Sequence, residues 1–179
     1  MSVRKRLYLL APALVVVLLH NAVHESLHYL AATLLGEEVP EFRFLTNGWG
    51  SSQVIYATPV AERVGVRWLV IAWLPAMTTT LVGYLVFVNR RRLLTRQPFL
   101  NALAWYVGAF FLLIDPLYFA LLSLAVPGGD VEAAAAVGWS VWPVRLFAVA
   151  VSLVNLWLVA RWQREARASP TRYVPRSWA

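Results

Sequence analysis

The sequence has no cysteine, few charged residues and only three histidines in 179 residues. Without cysteine, disulfides, thiolate metal sites and cysteine nucleophiles are excluded, so a bound metal needs nitrogen and oxygen ligands. Charged residues make up 14% of the chain and hydrophobic residues 60%. Soluble domains usually carry about 25% charged residues. The composition therefore predicts an integral membrane protein.

Four long apolar segments are present, over residues 7–35, 66–88, 99–126 and 141–160. Each approaches or exceeds the ~20 residues that cross a bilayer as a helix, and helices satisfy their own backbone groups in lipid. The first segment is expected to be a retained span rather than a cleaved signal peptide. The predicted fold is an all-α integral membrane protein of about four transmembrane helices, in one domain over residues 1–162.

Basic residues mark alternate connections, at 4–6, 90–96 and 161–176, whereas the other two loops hold most of the acids. The positive-inside rule then places both termini of this multi-pass protein in the cytoplasm. Topology and contacts with lipid headgroups account for the net charge of +7, so no nucleic-acid partner is expected. The basic tail, residues 163–179, is expected to be cytoplasmic and poorly ordered.

The longest connection is the first outer loop, residues 36–67. Phe42 and Phe44 on one side, and Val54 and Tyr56 on the other, indicate short extended pieces. Asn47–Gly48 is a turn signal between them. This pattern predicts a small β element at the outer face.

The motif HESLH, His24 to His28, lies near the end of the first span. Residues four apart share one helix face, so both imidazoles can point at one ion. Zinc lowers the pKa of bound water to about 7, and Glu25 can take up the proton and pass it to a leaving amine. Three ionisable residues in one span indicate a functional site. The alternative interpretation is that the histidines cap the helix at the membrane interface.

His20 extends the same row of histidines. Each helical turn climbs about 5.4 Å, so a third histidine lies too far along the axis to reach the same ion easily. A proton relay and direct ligation stay open. Support of another ligand, or lining of the pocket, is the favoured role.

A catalytic zinc generally takes three protein ligands, and the three histidines are the whole supply. A carboxylate must therefore complete the set. Asp115 lies inside the third span, and Asp130 follows Pro127, Gly128 and Gly129. Each aspartate also has a capping interpretation, Asp115 before a proline-kinked segment and Asp130 at the start of VEAAAAV. The residues alone leave both aspartates open.

The segment HNAVHESLHYLAATLLGEEV resembles the first signature of the site-2 protease family of intramembrane zinc metalloproteases. GGDVEAAAAVGWSVW is similar to the small membrane-only branch of that family, where an aspartate precedes an alanine-rich turn and a tryptophan. The resemblance implies that His24, His28 and Asp130 bind Zn²⁺ and that Glu25 is the catalytic acid and base. Asp130 is preferred because flanking glycines let the backbone turn towards the site, and Asp115 is held in reserve.

The expected function is hydrolysis of peptide bonds in transmembrane protein substrates, near the outer face of what the resemblance implies is a prokaryotic plasma membrane. Two alternatives stay open. One is a catalytically inactive scaffold or membrane chaperone, which has no chemical need for Glu25. The other is a zinc-dependent membrane hydrolase of a non-peptide substrate.

Overall fold

A computed structural model of the chain describes residues 3–47, 51–93, 95, 97–125 and 129–168. The described fold consists mainly of four long helices, and a small hairpin and short helical turns join them. The helices are α1 (Val3–Leu34), α2 (Val66–Asn89), α3 (Pro98–Leu117), the short α4 (Gly129–Glu132) and α5 (Val141–Ala168); the strands are β1 (Glu41–Asn47) and β2 (Ser51–Ile55). The predicted all-α membrane architecture with a small β element is confirmed.

Within the described residues, four helical segments are long and apolar enough to cross a membrane: Leu10–Leu34, Val66–Asn89, Phe99–Ala125 and Val141–Ala166. They match the predicted spans, which confirms a multi-pass membrane protein. One boundary differs, because α5 continues to Ala168 and so enters the segment predicted to be a poorly ordered tail. The remainder of that tail and Gly48 of the predicted turn lie outside the described residues.

The central helix is α3, which contacts α1, α2 and α5. Half of its most apolar window is buried, against less than a third in the other three spans. Gly83 permits the close approach of α2, since a Cβ there would lie 2.7 Å from the backbone nitrogen of Leu112. Small residues allow such close helix contacts in membranes, where packing rather than hydrophobicity drives association.

Two prolines inside helices create backbone acceptors at helix contacts. Proline has no N–H, so the carbonyl four residues earlier loses its helical donor. Pro75 of α2 frees the Ile71 carbonyl, which accepts a 2.9 Å hydrogen bond from His28 Nδ1. Pro116 of α3 frees the Leu112 carbonyl, which accepts a 2.5 Å bond from Asn155 Nδ2.

The helix α3 does not stop at its proline. It continues through a π-helical turn, Tyr118–Leu122, and a last turn, Ser123–Ala125. Single π turns within helices are often found at functional sites. The turn places Tyr118 beside the cleft described below.

The hairpin folds back over α1 because the outer loop is fastened to the start of α2. The buried Glu37 carboxylate accepts hydrogen bonds from the Thr58 N–H and hydroxyl, each 2.9 Å, and from Arg67 Nη2 at 2.6 Å. In the hairpin, Glu41 pairs with Ile55 and Arg43 with Gln53. The strand β2 thereby lies against α1.

Candidate metal centre

Side chains from α1 and α4 converge on one point. The Nε2 atoms of His24 and His28, one turn apart on α1, lie 3.2 Å from each other. The carboxylate of Asp130 reaches both, with Oδ2 3.5 Å from His24 Nε2 and Oδ1 3.4 Å from His28 Nε2. Ligands about 2.1 Å from a tetrahedral ion are separated by roughly 3.4 Å. The three side chains are therefore positioned to hold a metal ion.

Asp130 reaches the histidines because α4 is anchored against α2. The Trp73 indole N–H donates a 2.8 Å hydrogen bond to the Asp130 carbonyl, and the next residue, Val131, is fully buried. Burial raises the pKa of the Asp130 carboxyl, but the imidazoles of His24 and His28 outweigh this and lower it to about 2. The carboxylate is therefore ionised, as a metal ligand must be.

Of the glycines expected to let the backbone turn at Asp130, only Gly129 is described. Gly129 has a negative φ and lies within α4 together with Asp130, so no left-handed turn at Gly129 is needed. Pro127 and Gly128 lie outside the described residues. The carboxylate of Asp130 faces the two histidines, which the capping interpretation does not require.

The ring of His28 is fixed by the carbonyl that Pro75 frees. Its Nδ1–H donates to the Ile71 carbonyl at 2.9 Å, so the proton resides on Nδ1 and the Nε2 lone pair is left for an ion. Such a bond to the far nitrogen orients a ligating histidine and raises its basicity. The bond runs to α2, so His28 does not cap its own helix.

His24 is flanked by two aspartates, one at each ring nitrogen. Its Nε2 faces Asp130, whereas its Nδ1 lies 3.3 Å from Asp115 Oδ1. That Nδ1 is buried and makes no well-aligned hydrogen bond. Its contact with Asp115 is therefore close enough for an ion pair but is not a hydrogen bond. Asp115 thus lies behind His24, where a carboxylate can orient the ring.

Asp115 is itself held by α1 and α2. Its Oδ2 accepts a 3.0 Å hydrogen bond from His20 Nε2 and another from the Thr79 hydroxyl. His20, His24 and Asp115 form a second group with metal-binding separations, which shares His24 with the first. Asp115 lies inside the continuous helix α3, so the prediction that it could cap a helix is wrong. His20 donates to Asp115, and its ring lies 5.0 Å from the Phe111 ring and 5.7 Å from the His24 ring, on which it stacks.

A cleft of about 350 Å³ opens beside this group. Glu25, His28 and Asp130 line part of it, and residues 52–54 of β2 line another part. Tyr56 also lines it, and burial raises the pKa of this phenol well above its usual value. Tyr56 is therefore a neutral hydrogen-bond donor. The cleft has room for a short polar segment next to Glu25.

The sequence alone did not reveal the groups that hold the candidate metal-binding side chains in place. The Ile71 carbonyl has no signature of its own, but Pro75 in the second span was a signal for it. Thr79 follows Pro75 by one turn, on the same face. Comparisons of the chain with protein-family models, curated proteins and solved structures find no match.

Proposed function

We propose that this protein is an intramembrane zinc metallopeptidase that hydrolyses peptide bonds of membrane-embedded protein segments. The observation that carries the proposal is the tetrahedral spacing of the His24, His28 and Asp130 side chains. Two of them, His28 and Asp130, line one cleft together with Glu25. Two imidazoles and one carboxylate, with an open fourth position, form a donor set typical of zinc hydrolases. A purely structural zinc site would be closed by a fourth protein ligand.

Each side chain has a distinct part in the chemistry. When bound, zinc supplies Lewis acidity, which makes water a nucleophile at neutral pH and polarises a carbonyl. Glu25 takes up the proton from the attacking water and gives it to the leaving amine. The Ile71 carbonyl and Asp115 keep the rings of His28 and His24 aligned.

The hairpin supports a peptide substrate rather than a small molecule. The described sheet has two strands, so β2 is hydrogen-bonded to β1 along one edge, and residues 52–54 of β2 line the cleft. An extended chain added to the other edge would be held by backbone hydrogen bonds. This would keep a transmembrane segment unwound where its peptide bond meets Glu25.

The orientation proposed is a plasma membrane with both termini in the cytoplasm and the hairpin outside. Arg90 pairs with Glu165 at 2.8 Å, so the arginine-rich ends of α2 and α5 lie at one side of the bundle. Basic residues favour the cytoplasmic side. Reporter fusions at Gly48 and Arg92 test this, and a cytoplasmic signal at Gly48 would reverse the orientation.

The decisive experiment measures zinc content and peptide cleavage on purified variants. Glu25→Gln should retain zinc and lose about 10²- to 10⁴-fold in rate, because the amide cannot accept a proton. His24→Ala and His28→Ala should lose both zinc and activity. Glu132→Gln is the matched control, since Glu132 is exposed on α4 outside the cleft.

Three outcomes contradict the proposal. Cleavage by Glu25→Gln at the unaltered rate would remove Glu25 from the mechanism. Zinc binding without cleavage of any membrane peptide would point to a non-peptide substrate, and purified protein that takes up no zinc would favour a scaffold.

A further inference from the structure

Arg63 lies in the cleft wall and has no part in the hydrolysis described above. It follows the 3₁₀ turn Val60–Glu62 and lines the same cleft as Glu25, His28 and Asp130. A cation in a cleft that already holds two carboxylates and a metal site needs an explanation. Arg63 either stabilises the fold of the outer loop or binds the substrate.

The guanidinium is held in place on three sides. Its Nε donates a 3.0 Å hydrogen bond to the Thr58 carbonyl. Its Cζ lies 4.9 Å from the Tyr56 ring centroid and 5.1 Å from that of Trp68. The two rings meet edge to face at 5.4 Å. Arg63 therefore has a fixed position before any ligand arrives, which lowers the entropic cost of binding.

The charge of Arg63 is nevertheless not neutralised. Its neighbour Arg67 pairs with Glu37 at 2.6 Å, and Arg43 pairs with Glu41 at 2.8 Å. Within the described ranges, no carboxylate pairs with Arg63, and its terminal nitrogens Nη1 and Nη2 donate no hydrogen bond. An arginine that only stabilised the loop would use its Nη1 and Nη2 donors for contacts within the loop. Here Nε and the contacts with the Tyr56 and Trp68 rings hold the loop, and Nη1 and Nη2 are left for a ligand.

We propose that Arg63 forms a subsite for a carboxylate of the substrate. A planar guanidinium binds a carboxylate through two parallel N–H···O bonds, and neutral amides match this geometry less well. The inference rests on the proposed peptidase function, and it specifies the substrate: a membrane segment with an acidic side chain near the scissile bond or with a free C-terminal carboxylate.

The test uses one transmembrane peptide in three forms, in detergent micelles with the full-length zinc protein. The first has Glu near the cleavage site and an amidated C-terminus, the second has Gln at that position, and the third has Gln and a free C-terminus. The readout is the ratio of kcat/KM between forms, which is independent of the fraction of folded enzyme. A charge-assisted pair predicts a ratio of about 10 to 100 over the neutral form.

Variants of Arg63 decide whether the preference arises there. Arg63→Gln should bring the ratio to about 1, and Arg63→Lys should leave part of it, because a single ammonium cannot bind bidentately. Arg43→Gln is the matched control: it removes one cation from the same outer loop, outside the cleft. Preference for the first form identifies an acidic side chain, and preference for the third identifies a C-terminus.

The subsite and the peptidase function fail in different ways. A ratio near 1 for both carboxylate forms in the unaltered enzyme, or a ratio that survives Arg63→Gln, overturns the subsite while cleavage stands. If no peptide is cleaved, binding of the fluorescently labelled forms to Glu25→Gln replaces turnover. Preferential binding of a carboxylate form that Arg63→Gln abolishes then supports the subsite without the peptidase function, and equal binding of all forms overturns it.

Discussion

At two places in this protein, a helix proline leaves a backbone carbonyl without its helical donor, and the two carbonyls have different roles. Pro75 frees the Ile71 carbonyl and Pro116 frees the Leu112 carbonyl, and each accepts an N–H from a side chain of another helix. At Ile71 the donor is His28, and at Leu112 it is Asn155. One contact lies in the candidate metal centre, and the other joins α3 to α5.

The difference lies in what the donor has left to offer. Asn155 is fully buried and its Oδ1 accepts a 2.6 Å hydrogen bond from the Tyr84 hydroxyl, so both ends of its amide are engaged within the bundle. His28 has a second ring nitrogen, which faces His24 and Asp130. A freed carbonyl therefore makes a contact with no donor or acceptor to spare when its partner is an amide, and it orients a candidate ligand when its partner is an imidazole.

The largest effect is expected from the carboxylates on the two sides of His24. Asp130→Ala should remove zinc from the purified protein, because one of the three proposed ligands is lost. Asp115→Ala should weaken zinc binding by about 10- to 100-fold, the usual cost of losing a partner behind a ligating histidine. Metal content and zinc titration distinguish the two. Full zinc in Asp130→Ala, with loss in Asp115→Ala, would make Asp115 the ligand.

The sequence predicted the fold better than it predicted the choice between these aspartates. Span length depends on counting apolar residues, and the shared face of His24 and His28 depends on helical periodicity; both are local properties. Imidazole, however, has two nitrogens, and Asp115 and Asp130 each reach a different one. Which nitrogen meets the ion depends on how the packed bundle rotates the ring, which no local pattern encodes.

Arg63 and the Ile71 carbonyl show the same limit. Arg63 is one of several arginines, and its significance arises only because Arg43 and Arg67 have acidic partners in the folded chain. A backbone carbonyl exists at every residue. Pro75 identifies Ile71 as available, but the contact with His28 requires that α1 and α2 pack side by side.

The next effect concerns the closed contact between α3 and α5. Asn155→Leu should lower the free energy of unfolding by about 1–2 kcal/mol, because it leaves the Leu112 carbonyl and the Tyr84 hydroxyl without a partner. Zinc affinity should stay unchanged. Unfolding in mixed micelles and zinc titration measure the two quantities. Ser152→Ala is the control on the same helix, since that hydroxyl donates within α5, to the Ala148 carbonyl.

Pro75→Ala tests the other contact with a freed carbonyl, between His28 and Ile71. The new N–H of residue 75 competes with His28 for the Ile71 carbonyl, so zinc affinity should fall by about 10-fold, with little loss of stability. Pro12→Ala removes a proline from α1 far from the site and should leave zinc affinity unchanged. An equal effect on zinc from Pro75→Ala and Asn155→Leu would erase the distinction between the two contacts.

The smallest effect is expected from Thr79, which lies one turn after Pro75 and donates to Asp115. Thr79→Val keeps the shape and removes the hydroxyl, so Asp115 retains His20 as its donor and only part of its support is lost. Zinc affinity should fall by less than about 10-fold, below the effect of removing the Asp115 carboxylate. Thr78→Val and Thr80→Val are matched controls on α2 and should have no effect.

A loss of zinc affinity as large as that of Asp115→Ala would mean that the Thr79 hydroxyl, rather than His20, fixes the carboxylate behind His24. Combining Thr79→Val with Asp115→Ala separates these cases, because a hydroxyl that acts through the carboxylate adds nothing once the carboxylate is gone.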